Sequence, residues 1–484
     1  MMAEPAIPHT AEGASLERSH LVGVGGAGMS GIARILADRG LVVSGSDARN
    51  SAVLDGLVAR GVRTAVGHDA VNLALLPGGP TAVVVSTAVR PDNPEVLAAR
   101  AAGIPVVRRA DALAALMVGY RGVCVAGTHG KTSTTSMLTV ALQQVGLDPS
   151  FAIGGELTGS GLGAHHGSGD IFVAEADESD GSFLSFSPHA AIITNLEPDH
   201  LDHHGTAEAY TAVFDQFVDR IEPGGFLVVC ADDPGSAALA NRTDLRRVIT
   251  YGRSKSAMVH LLDGIGDLEG AIGVVREPAV RLANGKWVGL TLSVPGDHMM
   301  LNAVAALAAG VELGVNPHEL AAGLAAYTGV RRRFELKGEV AGITVYDDYA
   351  HHPTEVSAQI AAARGVLASS AVSGGGRLVV VFQPHLYSRT ASFADAFGAA
   401  LAGADVVVVL DVYGAREDPQ LGVSGELIAD AVPTGSATVL YHPDRPSAAA
   451  FVTGVLRPGD IVITMGAGDV TTIGPELLTR LAAG

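Results

Sequence analysis

The chain has 484 residues, too many for one compact core and enough for about three domains. Its 32 Lys and Arg against 50 Asp and Glu leave a net charge of −18, which disfavours an electrostatic footprint for nucleic acid or an anionic membrane and makes any phosphate binding local. Two cysteines, Cys124 and Cys230, each lie in an apolar run that reads as a buried strand, which argues against a disulfide framework; with no apolar run near about 18 residues and no signal-peptide pattern at the start, a cytoplasmic protein without membrane insertion is expected.

Residues 1–18 carry Pro5, Pro8 and Gly13 without periodicity and read as a disordered leader. The first βαβ unit follows: a strand from His20, a glycine turn, an amphipathic helix to about Arg39 and a second strand, Leu41 to Asp47. Gly23-x-Gly25-x-x-Gly28 fits a dinucleotide fingerprint, and Asp47 sits where an acid takes a ribose hydroxyl. The same loop suits any pyrophosphate, including that of a UDP-sugar. A further strand, Thr81 to Thr87, ends in Ser86 and Thr87, where open α/β sheets bind ligands, although both also read as ordinary strand-end residues.

After the apolar run Gly122 to Ala126 comes Gly127-Thr128-His129-Gly130-Lys131-Thr132, the pattern of strand, tight glycine loop and helix. Two glycines let backbone N–H groups approach an anion, the helix start adds its positive dipole end, Lys131 brings a mobile charge and Thr132 a hydroxyl for Mg²⁺. The loop is two residues shorter than the general phosphate-loop spacing. This points away from GTPases and kinases and towards a narrower ATPase group.

Two further strands run into polar clusters: Val173 to Gly181, with Glu175, Asp177, Glu178 and Asp180, and Ala191 to His204, with Glu197, Asp199, His200 and Asp202. Acids at a strand's carboxyl end can hold a metal beside phosphates. Adjacent His203 and His204 point in different directions and no cysteine pair accompanies them, so Mg²⁺ or Mn²⁺ is favoured over zinc. The C-terminal part shows parallel-sheet strands at Arg377 to Phe382, Asp405 to Leu410 and Asp460 to Thr464, separated by helix-length stretches.

These motifs, with Gly25 to Gly31, Gly329 to Phe334, Asp347 to Glu355 and Gln383-Pro384-His385, resemble the Mur ligase family over nearly the whole length. The resemblance implies an α/β protein of three domains: an N-terminal Rossmann-like domain for a UDP-sugar (19–117), a central P-loop-type ATPase (118–329) and a C-terminal Rossmann-like domain that closes over ATP and the amino acid (330–484). The implied chemistry is phosphorylation of the UDP-N-acetylmuramate carboxylate by ATP, followed by attack of the L-alanine amine on the acyl phosphate.

Carried over by residue, Gly25, Gly26, Ala27, Gly28, Met29, Ser30, Asp47, Ser86 and Thr87 would bind the UDP-sugar. Gly127, Thr128, His129, Gly130, Lys131, Thr132, Ser133, His298, Asn302, Arg333 and Asp348 would bind ATP. Thr132, Glu175 and His200 would hold two Mg²⁺ ions, with Mn²⁺ as a substitute, and Lys131, Glu175, His200, His351, His352 and Arg389 would serve catalysis. Two positions depart from the family pattern. Met299 stands where relatives usually have Asn, leaving His298 and Asn302 for the adenine, and Leu386 where many have Arg, with Arg389 a substitute.

Three competing readings remain: a relative that joins a tripeptide to the same UDP-muramate, an NAD-dependent dehydrogenase built on the first glycine loop, and a non-catalytic UDP-sugar sensor. The second nucleotide loop with its acids argues against the dehydrogenase, and retention of Lys131, Thr132, Glu175 and His200 against the sensor. The sequence leaves open whether the protein is a monomer or a homodimer.

Overall fold

The structure is a computed structural model that describes residues 7–262, 278–369, 376–415 and 417–483, with Asp202 described by its backbone alone. Among these residues the strands form three sheets. The first contains β1 (Arg18–Val22), β2 (Val42–Asp47), β3 (Arg63–Val66), β4 (Ala82–Val85) and β5 (Val106–Arg108), in the order β3-β2-β1-β4-β5 with every pairing parallel. The order reverses at β1, so the glycine turn after β1 opens at the switch point where such sheets bind ligands.

The second sheet contains β6 (Arg121–Ala126), β7 (Ser150–Ala152), β8 (Ala164–His165), β9 (Ile171–Glu175), β10 (Ala190–Ile193), β11 (Phe226–Cys230), β12 (Val248–Gly252), β13 (Val259–Leu262), β14 (Ala279–Arg281) and β15 (Trp287–Gly289). Its order is β15-β14-β13-β12-β11-β10-β6-β9-β7-β8. β6 pairs in parallel with β10 on one side and β9 on the other, which brings the phosphate loop between the two acid-bearing strand ends. Gly122 to Ala126 are all buried, as expected of a parallel strand covered on both faces.

The third sheet contains β16 (Glu335–Val340), β17 (Ile343–Asp348), β18 (Leu378–Phe382), β19 (Val406–Val409), β20 (Thr438–Tyr441) and β21 (Ile461–Met465), in the order β16-β17-β21-β18-β19-β20. Only the β16–β17 pairing is antiparallel. One apolar layer, including Phe382, Phe397 and Ile463, covers one face, and another, including Val381, Val462 and Leu477, the other.

The chain divides into two compact units, one running through Ser293 and including Leu301–Tyr327, the other Val294–Met300 with Thr328–Gly484. The first unit therefore holds both the first and second sheets. Arg34 donates from Nη1 to Ala164 O at 3.4 Å, and a Cβ on Gly31 would stand 3.0 Å from that of Ala164, so the helix Ala27–Asp38 packs closely on β8.

The disordered leader is corrected for residues 7–18. Leu16 N donates to Pro8 O, Thr10 N donates to Ala14 O, and Leu16 is fully buried, because this apolar side chain fills the core beside β1. Residues 1–6 lie outside the described residues.

Candidate active site

At the end of β1, Gly23 N and Val24 N both donate to Ser46 O, and Gly25 N donates to Asp47 Oδ2 at 2.9 Å. Asp47 thus carries the glycine loop itself. A Cβ on Gly25 would meet that carboxylate at 2.8 Å, which explains the absence of a side chain there. Gly26 caps the helix Ala27–Asp38, leaving the unpaired N–H groups of its first turn as an anion site.

Met29 is buried in the core, so only its backbone can face a ligand, and Ser30 Oγ donates to Ala27 O at 3.0 Å. Ser86 and Thr87 follow β4, with Thr87 exposed. Sequence reasoning missed Arg109. Its guanidinium lies 3.0 Å from where a Cβ of Gly28 would be, and its Nη2 is 3.7 Å from Asp177, so one cation joins the first glycine loop to the acidic turn after β9.

The phosphate loop has the backbone its sequence demands. Gly127 has φ +127°, and a Cβ there would collide with Thr194 Oγ1; Gly130 has φ +81°, and its Cβ would meet Asn302 Oδ1 at 2.7 Å. Asn302 therefore lies over the loop. Asn195 holds both backbone polar groups of His129, accepting from His129 N at 2.8 Å and donating to His129 O at 3.1 Å. Thr128 Oγ1 donates to Glu197 O at 2.9 Å and lies 3.0 Å from Tyr210 Oη, and His129 Nε2 lies 3.5 Å from Glu197.

Gly130 caps the helix Lys131–Gln144, in whose first turn Thr132 and Ser133 are buried. Lys131 Nζ donates to Gly127 O at 2.7 Å, to Thr128 O at 3.1 Å and to Glu178, whose carboxylate approaches to 2.9 Å. Burial disfavours its charge, but Glu178, Asp177 and Glu175 outweigh this and hold its pKa above the ordinary value. Burial raises Glu178 to about 7, with Lys131 opposing and Asp177 adding to the rise. The sequence places Glu178 in the acidic cluster without giving it a role of its own. Its signal was the position three residues after Glu175, within the same cluster.

The expected metal ligands come from different elements. Glu175 ends β9 and accepts from Gly154 N at 2.8 Å. His200 follows β10 with φ +52°, its backbone N–H donating to Asp199 Oδ1 at 2.7 Å and its Nε2 3.6 Å from the buried Asp199 carboxylate. Thr132, Glu175 and His200 offer a hydroxyl, a carboxylate and an imidazole; the two oxygen donors are of the kind Mg²⁺ takes, and the imidazole is a softer one. Asp202, in the same cluster, has a side chain outside the described residues.

In the second unit, His351 Nδ1 lies 3.0 Å from Tyr349 O, and its backbone N–H donates to Glu355 at 3.0 Å. Burial drives its pKa down to about 3, with Arg389 and His385 assisting and Glu355 opposing, so it is neutral at pH 7. Arg389 is buried in the helix Tyr387–Leu401, and His352 packs edge-on against Phe393. Leu386 has φ +67° at the start of that helix, three residues before Arg389.

Burial lowers His298 to about 4, and among the described residues its buried Nε2 has no hydrogen-bond partner. Arg333 lies over the Tyr349 ring at 5.2 Å. Asp348, expected to contact ATP, holds two backbone turns together. It is fully buried, and its two oxygens accept from Phe334 N at 2.6 Å and Ala350 N at 2.7 Å, because these two turns need an anion to collect their N–H groups. Burial raises it to about 7 against the pull of Arg333.

Comparison with known proteins matches three family models along the chain: the Mur ligase family catalytic domain at residues 18–121, the Mur ligase middle domain at 125–310 and the Mur ligase glutamate ligase domain at 332–468. The chain is 60% identical over 475 residues to the UDP-N-acetylmuramate–L-alanine ligase of Saccharopolyspora erythraea, covering 97% of this chain and 94% of the relative. It is 58% identical over 472 residues to the protein of the same name from Kineococcus radiotolerans, covering 97% of each. Its fold is similar to the crystal structure of the UDP-N-acetylmuramate–alanine ligase MurC of Thermotoga maritima, with a TM-score of 0.76, 28% identity, and 96% and 99% of the two chains covered.

Proposed function

The chain belongs to the Mur ligase family, and on that premise we propose that it joins L-alanine to the carboxylate of UDP-N-acetylmuramate with ATP, giving UDP-N-acetylmuramoyl-L-alanine, ADP and phosphate, a step of peptidoglycan synthesis. The observation that carries this reading is a half-buried Lys131, paired with the buried Glu178, at the head of a phosphate loop in a chain that aligns over 97% of its length with an L-alanine ligase. A cytoplasmic location follows from the substrates; among the described residues no helix is long and apolar enough to cross a membrane.

A carboxylate is a poor acyl donor because oxide would have to leave. Transfer of the γ-phosphoryl group to a carboxylate oxygen, with ADP leaving, makes phosphate the leaving group instead. The amine nitrogen of alanine then bonds to the carbonyl carbon, the C–O bond to phosphate breaks, and a nitrogen proton is lost. Charge builds on the transferred phosphoryl oxygens, so positioned cations and N–H groups carry most of the acceleration.

Lys131 leaves Glu178 and the loop carbonyls to meet those oxygens, while the first-turn N–H groups of Lys131, Thr132 and Ser133 bind phosphate. Thr132 would hold one Mg²⁺, and Glu175 and His200 a second; when bound, the ions would supply charge neutralisation for the phosphoryl oxygens. The glycine loop Gly25 to Ser30 takes the UDP-sugar pyrophosphate. Neutral His351, with Nδ1–H given to Tyr349 O, keeps Nε2 as a hydrogen-bond acceptor.

The acyl phosphate is tested with substrate carrying ¹⁸O in the muramate carboxylate. One labelled oxygen is expected in the released phosphate. Phosphate without label in a productive reaction contradicts the mechanism.

A further inference from the structure

Glu95 belongs to neither glycine loop nor acid cluster, yet it is fully buried beneath the first of them. Asn93 caps the helix Pro94–Ala101, and this places Glu95 in the first turn, where a carboxylate faces the positive end of the dipole. Ser46 Oγ donates to its Oε2 at 2.6 Å, and Asn72 Nδ2 and Asp69 N donate to its Oε1. His68 Nδ1 and His20 Nε2 stand 3.5 and 3.6 Å from Oε2, and His68 Nδ1 is also 2.9 Å from Ser46 Oγ.

One carboxylate thus gathers β1, β2, the turn after β3 and the helix after β4. Ser46 is the residue that matters. Its carbonyl receives Gly23 N and Val24 N, and the next residue, Asp47, receives Gly25 N. The glycine loop hangs from Ser46–Asp47, and the Ser46 side chain hangs from Glu95. Burial favours protonation of Glu95, but the donors around it, His20, Ser46 and Asn72 foremost, bring it down to about 2, so it remains an acceptor on both oxygens.

We propose that Glu95 is a positioning residue for UDP-sugar binding, setting the height and tilt of the Gly23–Gly28 loop through Ser46. The inference rests on the reading of that loop as the UDP-sugar site. Glu95→Gln keeps the shape but turns one accepting oxygen into a donor, which then opposes Ser46, Asn72 or Asp69 N. Ser46→Ala cuts the link while leaving Glu95 and its other donors in place.

The experiment measures steady-state kinetics and titration calorimetry with UDP-N-acetylmuramate on the full-length wild type, Glu95→Gln and Ser46→Ala, with amide hydrogen exchange of the wild type with and without UDP-N-acetylmuramate. Loop misplacement is expected to raise the UDP-sugar KM and Kd roughly tenfold or more, with kcat at saturating UDP-sugar and the ATP KM within about twofold of wild type. A merely structural role would lower kcat and affect both substrates together, and that outcome overturns the proposal. So does an unchanged UDP-sugar KM in folded Glu95→Gln, or in Ser46→Ala if Glu95→Gln fails to fold. Exchange separates the two claims: no protection of Gly23 to Ser30 on adding UDP-N-acetylmuramate overturns the loop reading, whereas protection with unchanged KM values overturns only the role of Glu95.

Discussion

Lys131 is held by two carbonyls of its own loop and by a carboxylate that no solvent reaches. Its charge is therefore held at the loop and handed from Glu178 to the phosphate oxygens when ATP binds, and Gly127 to Thr132 contain no other Lys or Arg. Lys131→Ala is expected to lower kcat by roughly a thousandfold or more, in line with the loss of a positioned transition-state cation. Calorimetric affinity for UDP-N-acetylmuramate should stay within about twofold; turnover near wild type would remove Lys131 from the chemistry.

A second residue-scale expectation concerns stability and acid. Glu95 lies near 2 in the fold against 4.5 as its reference, a difference of about 3 kcal/mol. Because the folded value is depressed, this contribution is present above about pH 4.5 and is lost as pH falls towards 2. Urea unfolding of wild type and Glu95→Gln at pH 7 and pH 3 should show a gap that narrows in acid. A constant gap would mean the charge does not matter.

At the scale of elements, the site is a set of strand ends with glycine turns. Gly127 shows how little tolerance they have: its φ of +127° disfavours any side chain, and a Cβ would run into Thr194. Gly127→Ala should raise the ATP KM roughly tenfold or more, the cost of forcing a strained turn. Asn195→Ala removes both bonds to the His129 backbone, so faster amide exchange across Gly127 to Lys131 is expected, with the UDP-sugar KM unchanged. Equal exchange in variant and wild type would show that the loop holds itself.

The phosphate loop was legible because glycine, lysine and a preceding apolar strand encode their geometry locally. Glu95 and Arg109 were not, since their meaning lies in partners dozens of residues away. Ser46 is 49 positions from Glu95, and Asp177 lies in the turn after a strand of the second sheet. The two backbone donors that Asp348 collects, Phe334 N and Ala350 N, were likewise invisible in sequence, because backbone bonds leave no mark on residue type. Among the strands, Leu378–Phe382, Val406–Val409 and Ile461–Met465 could be read from their apolar runs. The edge strand Glu335–Val340 could not, because it is polar and its register shifts between Leu336 and Gly338.

For the whole molecule, the order of the three sheets follows from the order of apolar strands and glycine turns along the chain. The union of the first two sheets in one unit does not. It depends on contacts such as Arg34 to the Ala164 carbonyl and Arg109 to Asp177, which tie helices packed on the first sheet to β8 and to the turn after β9. Both substrate loops lie in that unit, so its two sites should load independently of the acceptor amine. The donor set predicts dependence on a hard divalent ion: chelation should abolish phosphate release, and added Mg²⁺ or Mn²⁺ should restore it. Release that survives chelation would contradict the assignments of Thr132, Glu175 and His200.

The most direct test of the central claim is phosphate release from ATP by the purified protein with Mg²⁺ and UDP-N-acetylmuramate, run with L-alanine, with the tripeptide and with no acceptor, alongside mass detection of the product. Release that depends on L-alanine, with UDP-N-acetylmuramoyl-L-alanine formed in equal amount, is the expected result. Release with the tripeptide but not with L-alanine, or no release under any of the three conditions, would contradict it.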